Sequence, residues 1–337
     1  MSKEDRYCEY LLRNIKEESI KNKVSFSHKN ETNTRYNPKF IHQPNECFKY
    51  TIEKMFGLKN IKCKLYDSVI NGEGNEKDKI NSIYSSSLQS LVVFHSVDKN
   101  HPIKITIDNK ELTFTNVYFE QKNKVIGYPS SVDVVLTNKD SVLFIESKLF
   151  EIIRNSTDSK ELPKVVGVSY LSKRESSYFN VFGFDKDELK STGIHSDKYP
   201  IEDKTLNKDD SESITQIEGN TFVYPEGIKQ VLSHIIGITN FAKGNYHDGC
   251  IRELKEKKFK KFYFIELYNK LPGFDLEGED KIEEILNQFE RHVKKVFEVV
   301  KDKVNVVCDI KTYQDIYLEN KELFNDIVVK YYHLDNK

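Results

Sequence analysis

The chain has 337 residues, 38% hydrophobic and 12% aromatic, so it can bury a core of one large domain or two ordinary ones. Its 52 Lys and Arg balance 53 Asp and Glu, a net charge of −1, which argues against a protein that simply coats nucleic acid. Mean hydropathy is −0.61, no apolar run approaches the length of a membrane span, and the MSKEDRYCEY start has no apolar signal region, so a cytoplasmic protein is expected.

Residues 3–22 read as an amphipathic helix and 23–44 as polar, with 30–38 (NETNTRYNP) as loop. A second helix is expected from Asn45 to Met55, with Gly57 as its stop, followed by a strand at 61–67 (IKCKLYD). Residues 71–79 are a charged loop, and 80–95 a third helix. The period then changes to alternation. Residues 104–120 predict two strands about a turn at Asp108-Asn109, and 131–151 a second hairpin turning at 137–140.

Residues 155–222 are rich in Ser, Asp, Lys and Asn and read as a long polar insertion, with 165–171 (VVGVSYL) as a strand inside it. From Pro225 onward, Ile228, Val231, Leu232, Ile235 and Ile236 follow helical spacing. A strand at 260–269, a charged amphipathic helix at 279–301 and a strand at 304–310 come next. Thr312 and Asp315 have capping-box spacing, and 326–334 (DIVVKYYHL) reads as a closing strand. The expected organisation is a mixed region over 1–79, a core over 80–154 and 223–337, and the insertion between them. Five scattered cysteines without a C-x-x-C pair read as free thiols.

The chemistry concentrates in the second hairpin. Glu146 and Lys148 fall on one face of their strand, with Leu143, Ile145 and Leu149 on the other. Asp133, between Val132 and Val134 on the preceding arm, comes beside Glu146 if the turn is tight. Two adjacent carboxylates repel unless a cation relieves them. A hard divalent ion such as Mg²⁺, held by one or two carboxylates, suits the pair.

The run Pro129-Ser130-Ser131-Val132-Asp133 followed by Glu146-Ser147-Lys148 resembles the PD-(D/E)XK motif of the restriction-endonuclease-like superfamily, with the proline four residues before the aspartate. Further segments resemble an uncharacterised bacterial subgroup. They are Phe119-Glu120 at a strand end, Glu151 after the lysine, Gly227-Ile228-Lys229-Gln230 opening a helix, Lys311-Thr312-Tyr313-Gln314 and Ser85-Ser86-Ser87-Leu88-Gln89.

The resemblance implies an α/β restriction-endonuclease-like core, a mixed sheet flanked by helices, carrying the long insertion. It implies a Mg²⁺- or Mn²⁺-dependent nuclease of bacterial defence, restriction or repair, acting on DNA. RNA is the alternative substrate, and a silent binding module the alternative class. Asp133, Glu146 and Glu120 would hold metal, Lys148 would activate or orient water, and Gln230 would fix substrate or water. Glu151 reads as a solvated charge, and Gln89 as a residue that could reach the site. The basic run containing Lys258, Lys260 and Lys261 is the candidate contact to backbone phosphates. A homodimer or a partner subunit is the expected assembly.

Overall fold

The computed structural model describes residues 3–13, 26–29, 36–41, 48–71, 80, 82–125, 129–149, 151–156, 178–184, 188, 191, 195–196, 222–223, 228–274 and 282–335. In chain order the elements are α1 (Lys3–Leu12), β1 (Phe26–Lys29), β2 (Tyr36–Ile41), α2 (Phe48–Phe56), α3 (Cys63–Ile70) and α4 (Ser86–Phe94). Then come β3 (Ile103–Ile107), β4 (Lys110–Phe114), β5 (Asn116–Asn123), β6 (Ser130–Thr137), β7 (Ser141–Lys148) and α5 (Glu151–Ser156). The polar segment contributes α6 (Tyr178–Phe182), β8 (His195–Ser196) and β9 (Phe222–Val223). The chain closes with α7 (Ile228–Ala242), α8 (Arg252–Lys255), β10 (Lys261–Tyr268), α9 (Ile282–Val300), β11 (Val307–Thr312), α10 (Tyr313–Glu319) and α11 (Asp326–Tyr332).

The fold is α/β, and its centre is a mixed five-stranded sheet in the order β11-β10-β7-β6-β5. β5, β6 and β7 form an antiparallel meander. β10 lies parallel to β7, and β11 parallel to β10. Parallel neighbours need a crossover, and α7 and α9 provide the two helical returns. Both helices pack on one face, where Phe144 meets Phe241 of α7 and Phe264 meets Phe297 of α9. The other face is covered by α4 and α10, which Ser90 and Tyr313 tie to Ser147 of β7. With helices on both faces, β7 and β10 are buried almost end to end, which explains their near-continuous apolar runs.

The hairpin turn at Asp108-Asn109 forms as expected, with both residues at positive φ, the two-residue turn that matches strand twist. Its strands make a separate two-stranded sheet, however, and the chain leaves that sheet at Thr115 to begin β5. The edge of β3 is closed by side chains of α10. Asn320 takes the Lys104 N–H and gives one to its carbonyl, and Glu319 takes the Thr106 N–H. The Thr312 capping box is present, with Asp315 and Thr312 bonding reciprocally.

Four expectations are corrected. Residues 61–67 are not a strand. They lead into α3, because Ile61, Tyr66 and Val69 bury a helical stripe where alternation of Ile61, Cys63 and Leu65 suggested a sheet. Residues 326–334 form α11, started by the Asn325 side chain accepting the Ile327 N–H. Residues 36–38, read as the end of a loop, belong to β2, which pairs antiparallel with β1. The helix expected over 80–95 starts only at Ser86, capped by the Ser85 hydroxyl. The strand read at 165–171, residues 14–22 and Asn45 lie outside the described residues. Among the described residues no helix is long and apolar enough to cross a membrane, and Cys63, Cys250 and Cys308 are free thiols.

α7 sits close on β5. A Cβ on Gly237 would come 2.7 Å from the Cβ of Asn123. Gly237→Ala should therefore lift the helix and lower the urea midpoint, at a cost of about 1–3 kcal/mol. An unchanged midpoint would show that the helix shifts freely. At the C-terminus, His333 caps α11 in the left-handed conformation, stacks on Tyr10 and is held below the usual histidine pKa by burial. A depressed histidine contributes stability above its unfolded pKa and loses it as pH falls. His333→Asn keeps the left-handed cap without a titrating ring. The loss of urea midpoint between pH 7.5 and pH 5.5 should be smaller in this variant than in the wild type.

Candidate functional site

β6 and β7 pair as far as Val134↔Ile145, and there the pairing ends. Asp133 and Glu146 occupy the next register position. The strands part at this point, and the Asp133 carboxylate accepts the Ser147 N–H at 2.7 Å. On the far side of β7, Glu266 of β10 pairs in register with Glu146, and Tyr268 with Lys148. Residues opposite one another in a ladder share a face. Glu146 and Glu266 thus share the face covered by α7, and Asp133 completes a row of acids from the point where β6 turns away.

α7 reaches into this row. Lys148 Nζ donates to Glu146 Oε1 at 2.6 Å and to Gln230 Oε1 at 2.8 Å. Gln230 Nε2 donates to the same Glu146 oxygen. One turn further along α7, His234 Nε2 lies 3.1 Å from Glu146 Oε2, close enough for an ion pair but off the angle of a hydrogen bond. Ser130 Oγ stands 2.5 Å from His234 Nδ1. Glu146, Lys148, His234 and Glu266 are buried, Asp133 is half-buried and Gln230 is exposed, so the row opens to solvent on the Asp133 and Gln230 side.

The charges follow from these neighbours. Burial raises the Asp133 carboxyl well above the usual range, and the negative charge of Glu146 adds to it. Burial alone would raise Glu146 too, but Lys148 and His234 outweigh it and hold its pKa at about 2. Burial works against the Lys148 ammonium, yet Glu146 and Glu266 together push its pKa upward. Glu266 is raised chiefly by burial; Lys148 pulls against this, and Glu146 and Asp133 add to the rise. The result is one firmly ionised carboxylate between two that resist ionisation.

The sequence reading brought Asp133, Glu146, Lys148 and Gln230 together, and the structure places all four in one network. Glu120 is across from Asp133 in register but has φ 55, and its carboxylate accepts from Ser131 Oγ at 3.4 Å. Glu151, read as solvated, instead accepts the Leu149 N–H and the Ser86 hydroxyl. Gln89 is buried in α4, whose neighbour Ser90 bonds toward the opposite face of β7, and its amide has no hydrogen bond among the described residues. Lys260 and Lys261 lie at the start of β10, where their N–H groups bond the Asp140 carbonyl. Five strand residues, about 17 Å, separate Lys261 from Glu266.

Glu266 escaped the sequence reading. Its signal was available: in KFYFIELY it is the one acid inside an otherwise apolar strand. No motif marks it, because its partner arrives through parallel pairing with a strand more than a hundred residues earlier. Both its oxygens are buried without a hydrogen bond among the described residues.

Compared with protein-family models, with curated proteins and with solved structures, the chain gives no match. The site is therefore judged on its own chemistry. Among the described residues, no three His, Cys, Asp or Glu side chains converge closely enough to hold a metal ion, so Asp133, Glu146 and Glu120 do not form such a set. Asp133 and Glu146 alone still suit Mg²⁺ or Mn²⁺, which take one or two carboxylates and complete their shell with water and phosphate oxygens. Glu146 Oε2 accepts no hydrogen bond among the described residues, so one lone pair can face a cation while the other takes a donor.

Glu266→Gln isolates the electrostatics. A carboxyl with a raised pKa withdraws stability as pH climbs above its unfolded value. In chelator, the variant should gain urea midpoint over the wild type at pH 8, and the gain should shrink at pH 5. A gain independent of pH would refute the charge assignment.

Proposed function

We propose that this chain is a divalent-cation-dependent nuclease with a restriction-endonuclease-like core, hydrolysing DNA phosphodiester bonds. The observation that carries the reading is the buried Lys148–Glu146 pair, two residues apart on one sheet face, with Asp133 beside it where the strands part. The resemblance of Pro129–Asp133 and Glu146–Lys148 to the PD-(D/E)XK motif supports it.

Asp133 and Glu146 would hold the cation, Mg²⁺ or Mn²⁺, which would supply Lewis-acid chemistry at the phosphate and a more acidic water. Lys148 is kept as an ammonium by the carboxylates around it. It therefore orients water or phosphate oxygens as a hydrogen-bond donor. It also offsets charge that develops on the phosphate, as a fixed cation does best in a site poor in water.

Gln230 uses both ends of its amide, accepting from Lys148 and donating to Glu146, and so fixes the spacing of the two groups. Phe144 and Phe264, next on the same face, make the floor apolar and keep water from beneath the site. The basic run at 255–261 lies at the other end of the strands, so it contacts backbone phosphates away from the scissile bond. A near-neutral chain fits a nuclease that draws part of its DNA affinity from a second copy or a partner subunit.

The test is plasmid, single-stranded DNA and RNA incubated with Mg²⁺ or Mn²⁺, beside Lys148→Ala. Metal-dependent cleavage should fall about 10²–10³-fold in the variant, the usual loss when one donor to developing charge is removed. Equal activity in both proteins sinks the site. Cleavage of RNA alone would change the substrate and leave the residues in place.

A further inference from the structure

We propose that His234 is a positioning residue of the cation site, holding the second oxygen of Glu146 in a ring orientation set by Ser130. This rests on the reading of Asp133 and Glu146 as cation ligands. Glu146 presents two oxygens to α7. Oε1 accepts from Lys148 and from Gln230. Oε2 has no hydrogen bond among the described residues, and neither has His234 Nε2, yet the two atoms lie 3.1 Å apart. A small rotation of the carboxylate aligns them, and each is then satisfied by the other. Two buried polar atoms left unpaired side by side would each carry a desolvation cost, so the alignment is favoured.

The Glu146 carboxylate decides which nitrogen carries the proton. A neutral imidazole has one donor and one acceptor nitrogen. If Nδ1 carried the hydrogen, the bare lone pair of Nε2 would face a carboxylate oxygen. The hydrogen on Nε2 removes that repulsion. Nδ1 then accepts from the Ser130 hydroxyl, which stands 2.5 Å away. Ser130, His234 and Glu146 become a chain of donors running toward the carboxylate. The ring is also confined by Phe264, whose centroid is 5.8 Å away.

His234 is buried, so it acts through Glu146 and not on substrate. Gln230 and His234 are four residues apart on one helix and share a face. The exposed Gln230 and the buried His234 thus grip the two oxygens of one carboxylate from the same helix. This is the arrangement in which partners of a metal-ligating group fix its direction, and losing one costs about 10–100-fold in metal affinity.

The experiment is Mn²⁺ titration by calorimetry of wild type, Ser130→Ala, His234→Leu and His234→Gln, with urea unfolding and nucleic-acid cleavage measured on each. His234→Leu should bind Mn²⁺ about 10–100-fold more weakly. His234→Gln, whose amide can still donate to Glu146, should recover most of that loss. Ser130→Ala removes one oxygen from a chain that remains otherwise intact, and should lose less than His234→Leu. Nitrogen-15 spectra of the wild type should place the His234 hydrogen on Nε2.

A folded His234→Leu or Ser130→Ala protein that binds Mn²⁺ as the wild type does overturns the proposal, even if the wild type cuts DNA. If His234→Leu fails to unfold cooperatively, the Ser130→Ala and His234→Gln affinities decide. The predicted order of affinities without cleavage of any nucleic acid upholds His234 and overturns the nuclease. A wild type that binds no Mn²⁺ overturns both.

Discussion

The carboxylate of Glu146 is the constraint on which the rest of the structure turns. It is ionised, buried, and set between two other acids on one sheet face. A buried ion pair is stable only if its geometry is good and its remaining lone pairs are met. Lys148 supplies the opposite charge, and α7 supplies the supporting groups through Gln230 and His234. That makes the seating of α7 an electrostatic requirement as well as a packing one. Gly237 lets the helix come against Asn123, and Asn240 bonds the Lys124 carbonyl further along the same helix.

The sheet serves the same end from behind. On the reverse face of β7, the Ser147 hydroxyl bonds that of Tyr313, which in turn reaches Ser90. The Ser147 N–H goes to Asp133, because β6 has already moved away. One residue therefore ties the motif strand to the α4–α10 layer and to the second acid of the site. α10, capped by its Thr312 box, holds Tyr313 in place and closes the free edge of β3 through Asn320 and Glu319. Among the described residues the long polar segment supplies a five-residue helix, packed against α7, and a pair of two-residue strands.

Much of this was legible along the chain. Alternation placed Glu146 and Lys148 on one face, and the apolar arms of the second hairpin predicted the β6–β7 pair. The Asp108-Asn109 turn and the Thr312–Asp315 box are local signals whose partners lie within a few residues, and both appear as expected. Short apolar runs were harder. Residues 61–67 satisfy strand and helix periods equally well, and burial against β5 and α4 chose the helix. Residues 326–334 look like a strand until the Asn325 cap is given its weight. Glu120 illustrates the reverse: it read as the end of a strand, and it lies inside β5 at positive φ, bonded to Ser131.

By itself the sequence determined the composition of the site: which strand carries an acid and a lysine two residues apart, which hairpin arm brings Asp133 to them, and which helix bears Gln230. These follow from periods of two and of 3.6, which any local window contains. Only the tertiary structure decided that Glu266 joins the row, that His234 and Ser130 stand behind Glu146, and that the basic run at 255–261 lies at the far end of the strands. The parallel register of β10 on β7 and the docking of α7 across the sheet are contacts between segments some eighty to a hundred and twenty residues apart. Side-chain period says nothing about them. They are set by which buried faces fit together, and by the requirement that a buried charge find its partners.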